Sequence, residues 1–249
     1  MGQVFMPFVP ARRTGPELLD LPAGSQCYPE LVESLADIRK VNRYLGGTRA
    51  AVRHFSGLLD GLGRPGGRTI TLLDVATGSA DVPAALVDWA RASRLGISVR
   101  AVDINPAIAR HASELTRDYP EIKVEVADAL DLPYEDGSFD FVMCSLALHH
   151  FHGDDAMRLL KNIARIAGTG YVVGDLRRGW IPFALIYILT RLLTGNRLTR
   201  CDGPLSVLRA YTHSELEALA GEAGLKGYRV VDDPFWRMAL VGRGVWAKT

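Results

Sequence analysis

Cysteine is scarce: Cys27, Cys144 and Cys201 are the only three in 249 residues. So few scattered thiols make no disulfide framework and show no zinc-ligand spacing, and they suit a reducing, cytoplasmic setting. One-sided charge is also missing. Lys plus Arg number 29 and Asp plus Glu 28, a formal net charge of +1, whereas a dedicated nucleic-acid binder carries a basic excess. Long apolar runs are lacking too. The longest stretch free of Asp, Glu, Lys, Arg and His, GWIPFALIYILT between Arg178 and Arg191, would reach roughly 18 Å as a helix at about 1.5 Å per residue. A bilayer core is about 30 Å thick. The first residues, MGQVFMPFVPARR, hold no apolar core for a secretory signal, and Met6 stands where a myristoylation signal wants Ser or Thr. The 25 glycines and 13 prolines are dispersed, which argues against wholesale disorder. What remains is an ordinary globular composition, long enough to bury a sizeable core.

Periodicity divides the chain. Residues up to 25 carry Pro7, Pro10, Pro16 and Pro22 and read as an irregular arm. In PELVESLADIRKVNRYLGG the apolar positions Leu31, Val32, Leu35, Ile38, Val41 and Leu45 recur at steps of three and four, which predicts a helix stopped by Gly46 and Gly47. TRAAVRHFSGLLDGLG reads as a second helix with Thr48 as its N-cap. RPGGR, residues 64–68, is a turn. The pattern then switches to short apolar runs, TITLLDVA, SVRAVDI, IKVEVADA, SFDFVMCSL and GYVVGDL, most of them separated by helical segments. Alternating strand and helix predicts a parallel α/β sheet with right-handed crossovers. THSELEALAGEAGL carries a capping box from Thr212 to Glu215. GYRVVDD and RMALVGRGV, joined by PFW, read as an antiparallel pair. The expected organisation is an arm and helical cover over residues 1–66 and an α/β domain over 67–249, with an apolar helical insertion at about 177–211.

Ligands of open α/β sheets sit beyond the carboxyl ends of the strands. Here the first strand ends in LLDVATGSAD, the second in VDINP and the third in VADALDLP. A dinucleotide loop needs G-x-G-x-x-G to seat a pyrophosphate. The loop ATGSAD keeps one glycine, Gly78, and places Asp81 in the first helical turn, where a carboxylate repels a diphosphate. Asp74 and Asp81 suit a cationic or zwitterionic ligand. Asp103 is placed to accept from both ribose hydroxyls, and Asp128 from an adenine amino group with the Ala129 N–H beside it. Singly, each acid is an ordinary turn or cap residue. Together they ask for an adenosine without a pyrophosphate, and S-adenosyl-L-methionine, a sulfonium, meets that description.

The segments TLLDVATGSADVP, VRAVDINP and VEVADALDLPYEDGSFDFVMCSLALHHF resemble the class I S-adenosylmethionine-dependent methyltransferases. Within these they look most like the menaquinone and ubiquinone C-methyltransferase group. The loop D-V-A-x-G-x-x-D stands as Asp74, Val75, Ala76, Gly78 and Asp81; the broader family often has Gly where Ala76 and Ala80 stand. The likeness covers roughly residues 70 to 176. It implies a Rossmann-like, seven-stranded, mostly parallel sheet in the order 3-2-1-4-5-7-6, with the last strand antiparallel, helices on both faces and an N-terminal helical cover. It also implies a cofactor set. Asp74 and Gly78, with Ala76 and Thr77, would face the methionine part. Asp103, with Ile104 and Asn105, would take the ribose, and Asp128 with Ala129 the adenine. Cys144 and Ser145 would lie near the methionine part or the transferred methyl. Arg43, in the cover with Tyr28 and Asn42, is a candidate for the cofactor carboxylate; the alternative is a surface-helix arginine.

Methyl transfer from a sulfonium mainly requires alignment and exclusion of water, and an oxygen nucleophile may need a base. His150 and His149, after the fourth strand, are the candidates; the alternative is that they only position the loop. His54 reads as a surface or cover residue. No metal ligand set is expected. The apolar stretch WIPFALIYILTRLL, flanked by Arg177, Arg178, Arg191, Arg197 and Arg200, has two accounts: a core or homodimer-interface helix, or the wall of a hydrophobic tunnel or a peripheral membrane contact with arginines toward headgroups. The expectation is methyl transfer to O or C of a small lipophilic aromatic acceptor, with S-adenosyl-L-homocysteine as product and no nucleic-acid partner. Methylation of RNA or protein, and non-catalytic cofactor binding, are the alternatives.

Overall fold

A computed structural model describes residues 9–21, 27–62 and 67–246. Most of the turn expected at 64–68 lies outside them, as do residues 1–8 of the amino-terminal peptide. The elements run α1 (Tyr28–Tyr44), α2 (Gly47–Leu62), β1 (Ile70–Val75), α3 (Asp81–Ala92), β2 (Ile97–Asp103), α4 (Pro106–Leu115), β3 (Ile122–Val126), β4 (Phe139–Ser145), a 3-10 turn (Leu148–His150), α5 (Gly153–Ile166), β5 (Ala167–Leu176), α6 (Trp180–Leu193), α7 (Arg197–Arg209), α8 (His213–Glu222), β6 (Tyr228–Asp233) and β7 (Arg237–Arg243).

The seven strands form one sheet in the order β3-β2-β1-β4-β5-β7-β6. β7 runs antiparallel to both β5 and β6, and the other pairs are parallel. The order implied by the family likeness is therefore the one observed. Successive side chains of a strand face opposite sides, so β1 serves two cores. Leu72 packs with Phe55, Leu59, Leu86, Phe141 and Met143 beneath α2 and α3. Leu73 packs with Val142, Leu160, Ile163, Leu216 and Leu240 beneath α5 and α8. Burial on both faces is why the parallel strands read as continuous apolar runs. The first helix packs on α4 through Leu31, Leu35 and Ile108.

Local signals hold at most ends. Pro106 opens α4, and the Asn105 side chain accepts the Ala107 N–H at 2.9 Å. Thr212 and Glu215 form the expected capping box. Thr48 is not an N-cap, because α2 already begins at Gly47, following Gly46 at φ 78°. The arm is irregular yet fastened. Arg13 N–H donates to Leu208 O at 3.0 Å, and Asp202 of α7 accepts the Leu18 and Leu19 N–H groups at 2.8 and 3.0 Å.

The apolar helix departs from the core half of its first account, a core or homodimer-interface helix. Within α6 only Pro182 and Thr190 are buried, while Ile181, Ile188, Leu192 and Leu193 are more than half exposed. It is no core helix of this chain. Its flanking arginines also divide. Arg178 is buried, bonded to Pro10 O and Glu215. Arg177 pairs with Asp232 and Arg197 with Glu30.

Candidate active site

The ends of β1, β2 and β3 meet at one sheet edge. Val75 is beside Val102, and Asp103 is beside Val126. The loop after β1 is stitched to β2: Thr77 N–H donates to Val102 O at 2.9 Å, and Gly78 N–H to Asp103 Oδ2 at 3.0 Å. Asp103 Oδ1 accepts the Asn105 N–H at 3.0 Å. Each oxygen keeps a further lone pair, so a buried carboxylate is already oriented before a diol arrives. Burial also raises the Asp103 carboxyl above its ordinary value.

The loop is shaped by left-handed backbone. Gly78 has φ 56°, and Ala76 and Ala80 share that conformation at 55° and 54°. A Cβ on Gly78 would meet nothing within 4 Å, so the backbone lies open there. Around it Asp74 Oδ1, Thr77 Oγ1 and Ser79 Oγ are buried without a well-formed hydrogen bond, the Thr77 hydroxyl lying close enough to the Asp74 carboxyl only to oppose its rise. Leaving such groups unpaired is costly, and a zwitterionic amino-acid end would supply partners. Burial pushes the Asp74 carboxyl up to about 7, and the Asp81 and Asp103 charges push the same way. An ammonium would reverse that.

The remaining cofactor candidates fall as follows. Asp128 is exposed, with Oδ1 accepting the Leu130 N–H at 2.8 Å, and Ala129 beside it is buried. Ile104, next to Asp103, leaves 63% of its surface exposed, an apolar face beside that carboxylate. Ser145 is partly buried at the end of β4. Cys144 is fully buried, and its thiol is raised by burial and by the Asp74 and Asp175 charges, so it offers no nucleophile. Arg43 does not reach the loop. It is exposed, its guanidinium 5.8 Å from the Tyr44 ring. One position along a helix turns the side chain by about 100°, and Asn42 is the residue that faces inward: Nδ2 donates to Asp81 Oδ2 at 3.1 Å.

Two groups lie outside what the sequence suggested. Arg237, at the start of β7, is 5% exposed. It donates to Leu45 O at 3.0 Å and to Asn42 Oδ1 at 3.2 Å, and burial lowers it to about 10. His54, expected as a surface or cover residue, is a buried residue of the cover helix α2, bonded to Asp233 Oδ2 at 2.8 Å. Nothing in a lone arginine of a hydrophobic strand signals such a role.

The second group surrounds the paired histidines. His149 is buried. Its Nδ1 meets Asp175 Oδ1 at 2.7 Å, and its N–H donates to Asp175 Oδ2 at 2.7 Å. His150 Nδ1 meets Asp20 Oδ1 at 2.6 Å. Glu17, 2% exposed, lies 3.7 Å from His149 Nε2 and 4.0 Å from His150 Nε2. Burial pushes Glu17 up to about 7, with His150 opposing. Burial would raise Asp20 as well, but the hydrogen bond and charge of His150 hold it at about 2. Burial likewise works against Asp175, yet His149 keeps it below the usual carboxylate range. Asp175 ends β5 and obeys the same strand-end rule as Asp74. Glu17 and Asp20 come from the arm, where no periodicity marks them.

Residues 73–173 match the family model described as "Methyltransferase domain". Over 98 residues the chain is 33% identical to the ubiquinone/menaquinone biosynthesis C-methyltransferase of Rickettsia akari, covering 38% of this chain and 39% of that protein. Over 100 residues it is 30% identical to the demethylmenaquinone methyltransferase of Bacillus licheniformis, covering 40% and 41%. The match thus spans about two fifths of these relatives. Among solved structures, human N-acetylserotonin methyltransferase in complex with S-adenosylmethionine superposes with a TM-score of 0.61 at 16% identity, over 88% of this chain and 56% of that one.

Proposed function

We propose that the chain, whose residues 73–173 match the methyltransferase family model, is a class I S-adenosylmethionine-dependent methyltransferase that moves a methyl group from S-adenosyl-L-methionine to an oxygen or carbon of a small lipophilic aromatic acceptor, a phenol or quinol, and releases S-adenosyl-L-homocysteine. The observation that carries the reading is the set of orphaned buried atoms in the loop after β1: Asp74 Oδ1, Thr77 Oγ1 and Ser79 Oγ, next to an already oriented Asp103.

The cofactor supplies an electrophilic methyl on a sulfonium. The chain supplies binding and alignment, which such a displacement chiefly needs. Asp74 pairs the ammonium end, Asp103 holds the ribose diol, and Asp128 with Ala129 takes the adenine edge. Asn42 and Arg237 hold the cover helix against the loop through Asp81. The arm, pinned across α7 by Asp202, limits water at the acceptor side. His149, His150 and Glu17 form the group that favours an ionised acceptor, and Asp175 and Asp20 fix their orientation.

The acceptor class is supported by the names of the relatives, which specify ubiquinone and menaquinone biosynthesis, and by the apolar face of α6. That face, with Trp180 at its start, is a surface for an anionic lipid bilayer. Arg191 bonds the Tyr187 carbonyl and stacks on the Tyr187 ring at 3.3 Å, and Arg200 bonds backbone carbonyls; among the described residues neither meets a carboxylate, which leaves their charges for headgroups. Free Cys27, Cys144 and Cys201 fit the reducing cytoplasmic side. The test is a methyl-donor assay with alkylphenols, quinols and RNA. Transfer to the lipophilic phenols alone is expected; transfer to RNA alone, or to none despite cofactor binding, would contradict it.

A further inference from the structure

The histidine pair presents a feature that methyl transfer does not require. A carboxylate accepts hydrogen bonds, so Asp175 and Asp20 assign the proton of each imidazole to Nδ1. In the neutral rings both Nε2 atoms then carry lone pairs. They face Glu17 at 3.7 and 4.0 Å, too far for hydrogen bonds. The rings themselves are 4.3 Å apart. One ligand atom from each of the three residues lies within 4.8 Å of the other two. Three electron-pair donors converge with no hydrogen bond joining any two.

A tetrahedral zinc ion holds N and O ligands at about 2.0–2.2 Å, which sets donors roughly 3.3 Å apart; small side-chain shifts close the present spacing. The surroundings fit as well. Metal-bound histidines donate their other N–H to a carboxylate, and both histidines here do so. Glu17 and Asp20 share the Arg209 guanidinium, which lies 3.7 Å from Glu17 and 2.9 Å from Asp20. Asp202 bonds the backbone of Leu18 and Leu19, in the same stretch of the arm.

We propose that Glu17, His149 and His150 form a binding site for one divalent transition-metal ion of the zinc class, three protein ligands with a fourth position open. The His150 side chain is 25% exposed, so solvent reaches the site. The ion fastens the arm to the turn that follows β4. The expectation of no metal rested on spacing along the sequence, and these ligands have none, since one of them comes from the arm. With the ion bound, His149, His150 and Glu17 are ligands and no longer the group that takes the acceptor proton; cofactor binding at Asp74 and Asp103 is independent of the metal site and can fail or hold without it.

The test is a titration of the full, chelator-stripped chain with Co2+ and Zn2+, read by visible absorption, calorimetry and thermal melting. One equivalent of Co2+ should bind with tetrahedral visible bands, Zn2+ should displace it, and the melting temperature should rise with Zn2+. Glu17→Gln and His150→Asn should abolish the bands. Asp20→Asn should weaken binding about 10- to 100-fold. S-adenosylhomocysteine binding by each variant shows that its fold persists. Absence of stoichiometric binding in the wild type overturns the site, leaving the imidazoles to hold protons instead. So does metal binding that Glu17→Gln and His150→Asn leave unchanged.

Discussion

Asn42 of α1 donates from Nδ2 to Asp81 Oδ2 at 3.1 Å, while its own Oδ1 accepts from Arg237 Nη2 at 3.2 Å. One buried amide thus joins the cover helix, the loop after β1 and the first residue of β7. Replacing it with Ala leaves a buried guanidinium and a partly buried carboxylate each short of a partner. The expected cost is about 1–3 kcal/mol of stability, with weaker S-adenosylhomocysteine binding, read by denaturant unfolding and calorimetry. The same substitution at Arg43, one residue on and exposed, should leave both within experimental error.

Asp74, if it pairs the ligand ammonium as proposed, should make S-adenosylhomocysteine binding pH-dependent. Its carboxyl is raised to about 7 by burial, so below that pH the unliganded site is largely neutral. A ligand ammonium prefers the ionised form. Affinity for S-adenosylhomocysteine should rise up to about tenfold per pH unit below 7 and level off above it. The linkage for folding has the opposite sign. An acid whose folded value is raised costs stability as pH climbs from its unfolded value near 4 to about 7, because the unfolded chain ionises first. Asp74→Asn should therefore stabilise the unliganded protein at pH 8 while weakening cofactor binding and flattening its pH profile.

Asp175 separates positioning from binding. It holds His149 through two bonds of 2.7 Å. Asp175→Asn should lower turnover with a phenolic acceptor on the order of 10²-fold, within the range of acid–base and orienting contributions. Cofactor affinity should stay within about threefold. Equal losses in both would mean that the substitution damaged the fold instead.

The α6 face should bind anionic vesicles. Arg191→Glu with Arg200→Glu should release the protein from phosphatidylglycerol vesicles in sedimentation. Raised salt should do the same, because such attraction is screened. Leu192→Ser with Leu193→Ser should reduce binding at all salt concentrations. Retention unaffected by either pair, or a concentration-dependent dimer that the leucine pair disrupts, would assign the face to a second copy of the chain.

The sheet and its acids were legible because parallel strands repeat one rule, an apolar run closed by a polar end. Asp74, Asp103 and Asp128 follow it, and β2 and β3 align their ends through Asp103 and Val126. Asp175, a fourth acid, obeys the rule too, closing the run GYVVGDL, but the nucleoside reading assigned it no role. The arm was opaque for a physical reason. Glu17 and Asp20 lie in backbone fixed by bonds to Asp202 and Arg209, with neither helical nor strand period to read. Hydropathy also misleads at α6, since an apolar helix looks alike whether it faces a core or a lipid. Arg43 and Asn42 differ only by a helical rotation that composition does not reveal.

The most direct test of the account is a calorimetric titration of the chain with S-adenosylhomocysteine and, separately, with NAD. One site per chain for the nucleoside thioether, tightening between pH 6 and 8 and lost in Asp103→Ala, is the predicted result. Heat from NAD with none from S-adenosylhomocysteine would contradict it.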